Sequence, residues 1–309
     1  MSIETRFLVI SDTHGQLFDL KEAQQANADV VIHCGDLTEE SKIDEFRITL
    51  DLLRQLPAPL KLIIEPELVT RNFSSPGEPR RLFEQAKDAG IVLLDEGNHG
   101  FVLGNGALLR VYASPFTQSL GGWAFQYAPG EEHDFAIADD TQVVITHGPP
   151  HGIMDYTDSK QRAIARAKPL LHCFGHIHEG WASKLVSWRG PPPIIESEQQ
   201  QPPSHFTHID NSQSVVIEKL SNLTKGKFDD ADMARIKLER AQAYARKGHC
   251  STSHCSGDPH PLRPGSQTLF VNAAIEGRDD SLPTQPPWIV DIELPKAAGL
   301  SHVPEFTTG

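Results

Sequence analysis

Residues Leu170–Gly180 read Leu-Leu-His-Cys-Phe-Gly-His-Ile-His-Glu-Gly. Leu170–Phe174 is a short, mostly apolar run cut off at a glycine, the pattern of a buried strand. Just past its end stand His176 and His178. In extended chain a two-residue spacing directs both imidazoles to one side. Neutral imidazole is the commonest nitrogen ligand for Zn, Mn and Fe. Gly175 and Gly180 allow a tight backbone turn beside an ion. Alone, the pair reads equally well as two histidines in a surface turn.

Other strand ends repeat the pattern. Arg6–Ile10 reads as a buried strand and runs straight into Asp12 and His14, with a helix predicted over Leu17–Asn27. Asp29–His33 is a second strand, followed by Cys34-Gly35-Asp36; Gln142–Thr146 is another, followed by His147-Gly148-Pro149-Pro150-His151-Gly152. Open α/β sheets gather ligands beyond the carboxyl ends of their strands. A single Asp in such a place is usually a helix cap or turn former. Several strand ends in one chain, each carrying a hard or borderline ligand, point to a shared site. Collected, they offer Asp12, His14, Asp36, His147, His176 and His178. A carboxylate between two cations can bridge them at ~3.5–4 Å, and water shared by the pair loses a proton near neutral pH and becomes a nucleophile. The same ions would neutralise the oxygens of a phosphoryl group in transfer.

Composition narrows the class. The 309 residues are 39% hydrophobic, enough for a substantial core. No apolar run reaches membrane-spanning length, and the first residues lead into a strand without a signal-peptide pattern, so a soluble cytoplasmic protein is expected. A net charge of −13 argues against nucleic-acid polymers, which need a basic surface. The four cysteines are too few for a disulfide scaffold. Cys34 and Cys173 read as buried small hydrophobes, and Cys250 and Cys255 flank His254 without the spacing of a zinc motif. His33 and His172, inside strands, read as hydrogen-bonded structural histidines. Trp123 and Trp181 read as pocket-lining or core residues.

Further strands are predicted at Leu60–Ile64, Ile91–Leu94, Leu108–Tyr112, Trp123–Tyr127 and Lys184–Trp188, with helices over Lys42–Gln55, Arg80–Ala89 and Ser159–Lys168. Near residue 190 prolines and glutamines take over. Residues 190–266 are therefore expected to form an inserted linker, largely disordered, with one polar helix over Asp229–Lys247. Strand character returns at Thr268–Ala274 and Trp288–Leu294. The expected layout is a domain begun by 1–189, completed by strands in 267–298 and trailed by a tail, 299–309. The insertion is where a protein partner would dock; a solvated segment without function is the plainer expectation.

Asp12-Thr13-His14, Gly35-Asp36, His147-Gly148-Pro149-Pro150 and Gly175-His176-Ile177-His178-Glu179-Gly180 together resemble the signature blocks of calcineurin-like metallophosphoesterases, in the family's order. The small eukaryotic branch found in fungi and animals is the most similar. The resemblance covers roughly residues 6–189 and 268–295. It implies a four-layer α/β/β/α sandwich and two divalent ions of Mn, Fe or Zn type. By that resemblance Asp12, His14 and His178 hold one ion, His147 and His176 the other, and Asp36 bridges, with Asp36 and His147 serving catalysis. The implied activity is hydrolysis of a phosphomonoester or phosphodiester, of small-molecule or cyclic-nucleotide type, by a metal-bridging hydroxide.

One block departs from the pattern. The family carries Gly-Asn-His-Asp/Glu after its third strand, where this chain reads Ile64-Glu65-Pro66-Glu67. A literal Gly97-Asn98-His99-Gly100 occurs only after the next strand, in what resembles a hairpin. Three explanations stay open: a segment missing from this sequence through a misplaced splice junction, a true loss leaving an impaired binding or scaffold protein, or substitution by Asn98 and His99 or by Glu65.

Overall fold

The computed structural model describes residues 1–64, 77–118, 125–128, 131, 133–150, 158–190, 208–279 and 282–298. The strands are β1 (Ser2–Ile10), β2 (Val30–His33), β3 (Leu60–Ile63), β4 (Ile91–Leu93), β5 (Gly97–Val102), β6 (Leu108–Ser114), β7 (Thr117–Gln118), β8 (Gln126–Tyr127) and β9 (Val143–Thr146). They continue with β10 (Leu171–Phe174), β11 (Ala182–Trp188), β12 (Ile209–Lys219), β13 (Cys250–Ser253), β14 (Gln267–Asn272), β15 (Glu276–Asp279), β16 (Leu282–Thr284) and β17 (Trp288–Pro295). The helices are α1 (Lys21–Gln24), α2 (Ile43–Gln55), α3 (Glu78–Ala86), α4 (Asp158–Ala167) and α5 (Ala231–Lys247).

Two large sheets dominate. One runs β13-β17-β1-β2-β3-β4, the other β12-β11-β14-β10-β9-β6-β5. β1 to β4 are mutually parallel, and so are β6, β9, β10 and β14. Strand alternation explains the layering. In β1, Phe7 and Val9 enter the layer between the sheets, where they meet Val111, Ile145, Cys173 and Val271 of the second sheet. Leu8 and Ile10 point the other way, into a layer with Phe46, Leu50 and Leu53 of α2 and Phe83 of α3. On the outer face of the second sheet, Tyr112, Val144, Phe174 and Phe270 cover Ile164 of α4. The result is an α/β/β/α sandwich, with each fully buried large apolar side chain contributing roughly 1.5–3 kcal/mol.

Three sequence expectations need correction. The helix over Leu17–Asn27 is only the single turn α1: Leu17 is 81% exposed, and Asn27 has a left-handed φ of 49° that ends the turn. The largely disordered reading of 190–266 fails over 208–266. There the eleven-residue β12 pairs antiparallel with β11 through two register shifts, and β13 pairs in parallel with β17. Their polar composition concealed this, because the strands are ordered by pairing with β11 and β17 and the turn after β13 by side-chain hydrogen bonds. Asp258 takes both Ser253 Oγ and the Cys255 amide at 2.6 Å, while His254 Nδ1 meets the His260 carbonyl at 2.7 Å. His254 Nε2 meets Thr252 Oγ1 at 2.9 Å, so neither ring nitrogen is free for a cysteine-flanked metal. The strand at Trp123–Tyr127 shortens to β8 within the described residues. Glu65–Glu67, Trp123, His151, the proline–glutamine stretch 191–207 and the tail 299–309 lie outside them.

α5 follows the sequence expectation. Asp230 caps it by accepting the Met233 amide at 2.8 Å, and Gly248 ends it at φ 70°. It leans on the body through Ala241 and Tyr244, whose hydroxyl donates to Glu218 at 2.9 Å.

Candidate metal centre

Parallel pairing brings the carboxyl ends of β1 and β2 in one sheet beside those of β9, β10 and β14 in the other. Backbone hydrogen bonds join the loops that leave them: Asp12 N to Gly35 O and His14 N to Asp36 O at 3.0 Å, and Gly175 N to His147 O at 2.9 Å. An isolated bridge from Ser11 to Ala274 ties the two sheets at this edge.

Six side chains gather there in two groups, Asp12 with His14 and His178, and Asp36 with His147 and His176. Within each group the candidate ligand atoms all lie within 4.8 Å of one another. The division of His176 and His178 between the groups departs from the extended-strand reading, which sent both imidazoles one way. His176 has a left-handed φ of 67°, and the kink separates them. Asp12, His14 and Asp36 are left-handed too, at φ 56°, 48° and 52°. Such conformations are rare outside glycine and cost about 1–3 kcal/mol each, so their concentration here marks a functional edge.

The donor set fits divalent cations. Two ligands about 2.1 Å from one ion, 90–110° apart, lie roughly 3.0–3.4 Å from each other. His147 Nε2 is 3.2 Å from Asp36 Oδ2, and His178 Nε2 is 3.4 Å from Asp12 Oδ1. Both ring nitrogens of His14 are buried without a hydrogen-bond partner, although carboxylates of Glu39 and Glu276 approach to 3.3 and 3.2 Å. They are within ion-pair range but off the hydrogen-bond line, which leaves the nitrogen lone pair available to a cation.

Neighbouring groups fix each ligand. His147 Nδ1–H donates to Cys34 O at 3.0 Å, directing Nε2 towards Asp36. The His176 amide donates to both oxygens of Asp12 at 3.0 Å. A Cβ on Gly175 would fall 2.0 Å from Asp12 Oδ2 and 2.2 Å from Ser11 Oγ, so only glycine lets these loops meet. His33 accepts the Gly35 amide and donates to Thr13 Oγ1 at 3.0 Å, between Asp12 and His14. His172 donates to Thr146 Oγ1 at 2.9 Å, and Thr146 donates to Gly148 O at 2.7 Å, across His147. Asn272 and Gln285 hold the Ile177 and His178 carbonyls. Trp181 is core, fully buried and stacked on Trp288 at 4.8 Å.

Electrostatics follow from this packing. Burial pushes the Asp12 carboxyl up, but the His178 hydrogen bond and the His147 charge overcome it and hold the group well below the usual carboxylate range. Burial likewise pushes the His147 imidazole down, yet Asp36 wins and lifts it to about 9. Burial of His33 outweighs the opposing pull of Asp12 and Asp36 and takes its imidazole down to about 4.

Asn98 and His99 lie elsewhere, on the edge strand β5. Asn98 staples the 136–141 loop through Ala136 O, Ala138 N and Thr141, and His99 meets Asp95 O at 2.9 Å. Two carboxylates near the first group, Glu39 and Glu276, were not singled out in sequence. Glu276 stands just past β14, so the strand-end rule that found the others would also have found it.

Two back-to-back sheets with carboxylate–imidazole groups at adjoining strand ends define a protein of the metallophosphoesterase class. The chain belongs to the calcineurin-like phosphoesterase family, whose profile matches residues 5–180, and that family implies divalent metal cofactors. Metallophosphoesterase domain-containing protein 1 of Homo sapiens is 28% identical over 207 residues, covering 57% of this chain and 61% of that protein. The UPF0046 protein K07C11.7 of Caenorhabditis elegans is 28% identical over 195 residues, 56% of this chain and 63% of that protein. A probable rhamnogalacturonate lyase C of Emericella nidulans is 32% identical over 193 residues, 59% of this chain but 18% of the lyase. The chain thus spans less than two thirds of the length of each of these relatives. Purple acid phosphatase PPD1 of yellow lupin aligns over 93% of this chain and 47% of its own, at TM-score 0.39 and 11% identity. No described helix is long and apolar enough to cross a membrane.

Proposed function

We propose that this chain hydrolyses a phosphomonoester or phosphodiester of a small molecule or cyclic nucleotide. Asp12, His14 and His178 would hold one divalent cation of Mn, Fe or Zn type, His147 and His176 a second, with Asp36 between them. The observation that carries this reading is the pair of compact carboxylate–imidazole groups at one sheet edge. Bound cations supply Lewis acidity, activating water and neutralising phosphoryl oxygens. The chain's own residues aim. His147 is locked by Cys34 O with Nε2 turned to Asp36, and Asp12 is pinned by the His176 amide. A net charge of −13 favours a small ester over a polyphosphate strand, which the surface would repel, and a cytoplasmic location fits the same reading.

Asp36→Asn tests it with bis-p-nitrophenyl phosphate, p-nitrophenyl phosphate and a cyclic nucleotide as substrates. The expected loss is at least about 100-fold on whichever ester the wild-type protein accepts, comparable to removing one group that stabilises transition-state charge, and added metal does not restore it. Undiminished turnover would overturn the mechanism. A wild-type protein that takes up two ions yet turns over none of these esters would favour the impaired binding or scaffold role instead.

A further inference from the structure

Glu276 belongs to no signature block and lies 98 residues past His178 in sequence, yet its carboxylate faces both histidines of the first group. The fold puts it there. β14 runs parallel to β10 with Asn272 beside Phe174, so the chain leaving β14 passes the loop that carries His176 and His178. Ile275 N donates to Ser11 O at 2.9 Å, anchoring the residue before Glu276 against the loop of Asp12. Gln16 Nε2 then holds Glu276 Oε1 at 3.2 Å. The other oxygen, Oε2, is left 3.2 Å from His14 Nε2 and 3.7 Å from His178 Nδ1.

We propose that Glu276 is a further carboxylate ligand of the cation position formed by Asp12, His14 and His178, delivered through Oε2 beside His14 Nε2. The inference rests on the metal-site reading above. Its separation from His14 Nε2 falls within the range of roughly 3.0–3.4 Å for two donors sharing one ion. That His14 nitrogen, buried and without a hydrogen-bond partner, is the one Glu276 faces. Apart from Asp36 between the two, this position would then have two carboxylates, Asp12 and Glu276, and its neighbour none.

Glu276→Gln separates a ligand from a mere orienting group. The amide oxygen can still accept from His178 Nδ1–H but brings no charge and is a poor donor to a divalent cation. Titration of the metal-free protein with Co2+, followed by calorimetry and visible absorption, reads both positions, and Asp12→Asn identifies the step that belongs to the first. The expected result for Glu276→Gln is about 10–100-fold weaker binding in that step, a changed absorption spectrum for it, and an unaltered second step. Apo-state melting near wild type checks folding, since Glu276 is only half-buried. Two wild-type steps that Glu276→Gln leaves unchanged in affinity and spectrum would overturn this inference alone. A wild-type protein that binds no ion would overturn the metal-site reading with it.

Discussion

The two candidate groups, Asp12 with His14 and His178 and Asp36 with His147 and His176, each bring one carboxylate and two imidazoles but have different surroundings. The buried member is the carboxylate in the first group and an imidazole, His147, in the second. Asp12 is fully buried and held by the His176 amide, and Glu39 and Glu276 crowd His14. At the second, Asp36 is about one-fifth exposed and its partner His147 is oriented by a backbone carbonyl rather than by a further carboxylate. Groups of the same donor type can therefore differ in affinity through what surrounds them. The first position is expected to fill at lower metal concentration and the second to respond more sharply to changes nearby.

The largest break in that contrast comes from Gly175, which serves both positions. Its amide donates to His147 O, and its bare Cα lets Asp12 and Ser11 approach. Gly175→Ala must move either Asp12 or the loop of His176. We expect loss of both binding steps in the same titration, with destabilisation of about 1–3 kcal/mol from overpacking by chemical denaturation. Loss of one step alone would mean that the positions are less tightly joined than this turn implies.

How much of this was legible in sequence depends on the kind of signal. Runs such as Phe7–Ile10 and Val143–Thr146 carry their own evidence of burial, and Asp12, His14, Asp36, His147, His176 and His178 follow such runs directly. Their division into two groups was not legible from spacing, because it depends on left-handed backbone at His176. The resemblance supplied that division. Glu276 lies outside the signature blocks, although it too follows a buried strand. β12 and β13 were missed because their polar residues are ordered by pairing with β11 and β17, which no local pattern reveals.

A smaller effect separates the positions by pH. His33 supports Thr13, between the first-position ligands Asp12 and His14, and burial depresses its imidazole to about 4 from an ordinary 6.5. The unfolded chain binds this proton below pH 6.5, whereas the folded chain does so only near 4. Stability from this group is therefore intact above about pH 6.5 and is lost as pH falls to about 4, by roughly 3 kcal/mol in all. His33→Gln, whose amide can also accept from Gly35 and donate to Thr13, should flatten that part of the metal-free protein's stability–pH curve. A curve that keeps its full slope in the variant would place the acid sensitivity elsewhere.

The finest cut falls on the second position. Thr146 stands between His172 and Gly148, accepting from the one and donating to the other, and the chain turns there into His147. Thr146→Val preserves shape but takes away the hydroxyl, so the buried His172 loses its acceptor at Thr146 and the Gly148 carbonyl loses a donor. The cost should be about 1–2 kcal/mol in unfolding free energy. Because the altered contacts flank His147 rather than Asp12, His14 or His178, the second binding step should weaken by about tenfold while the first stays put. Equal weakening of both steps would show that strain at one strand end passes freely to the other. The two positions would then have to be treated as one unit, with the enclosure of Asp12 giving the first no independence.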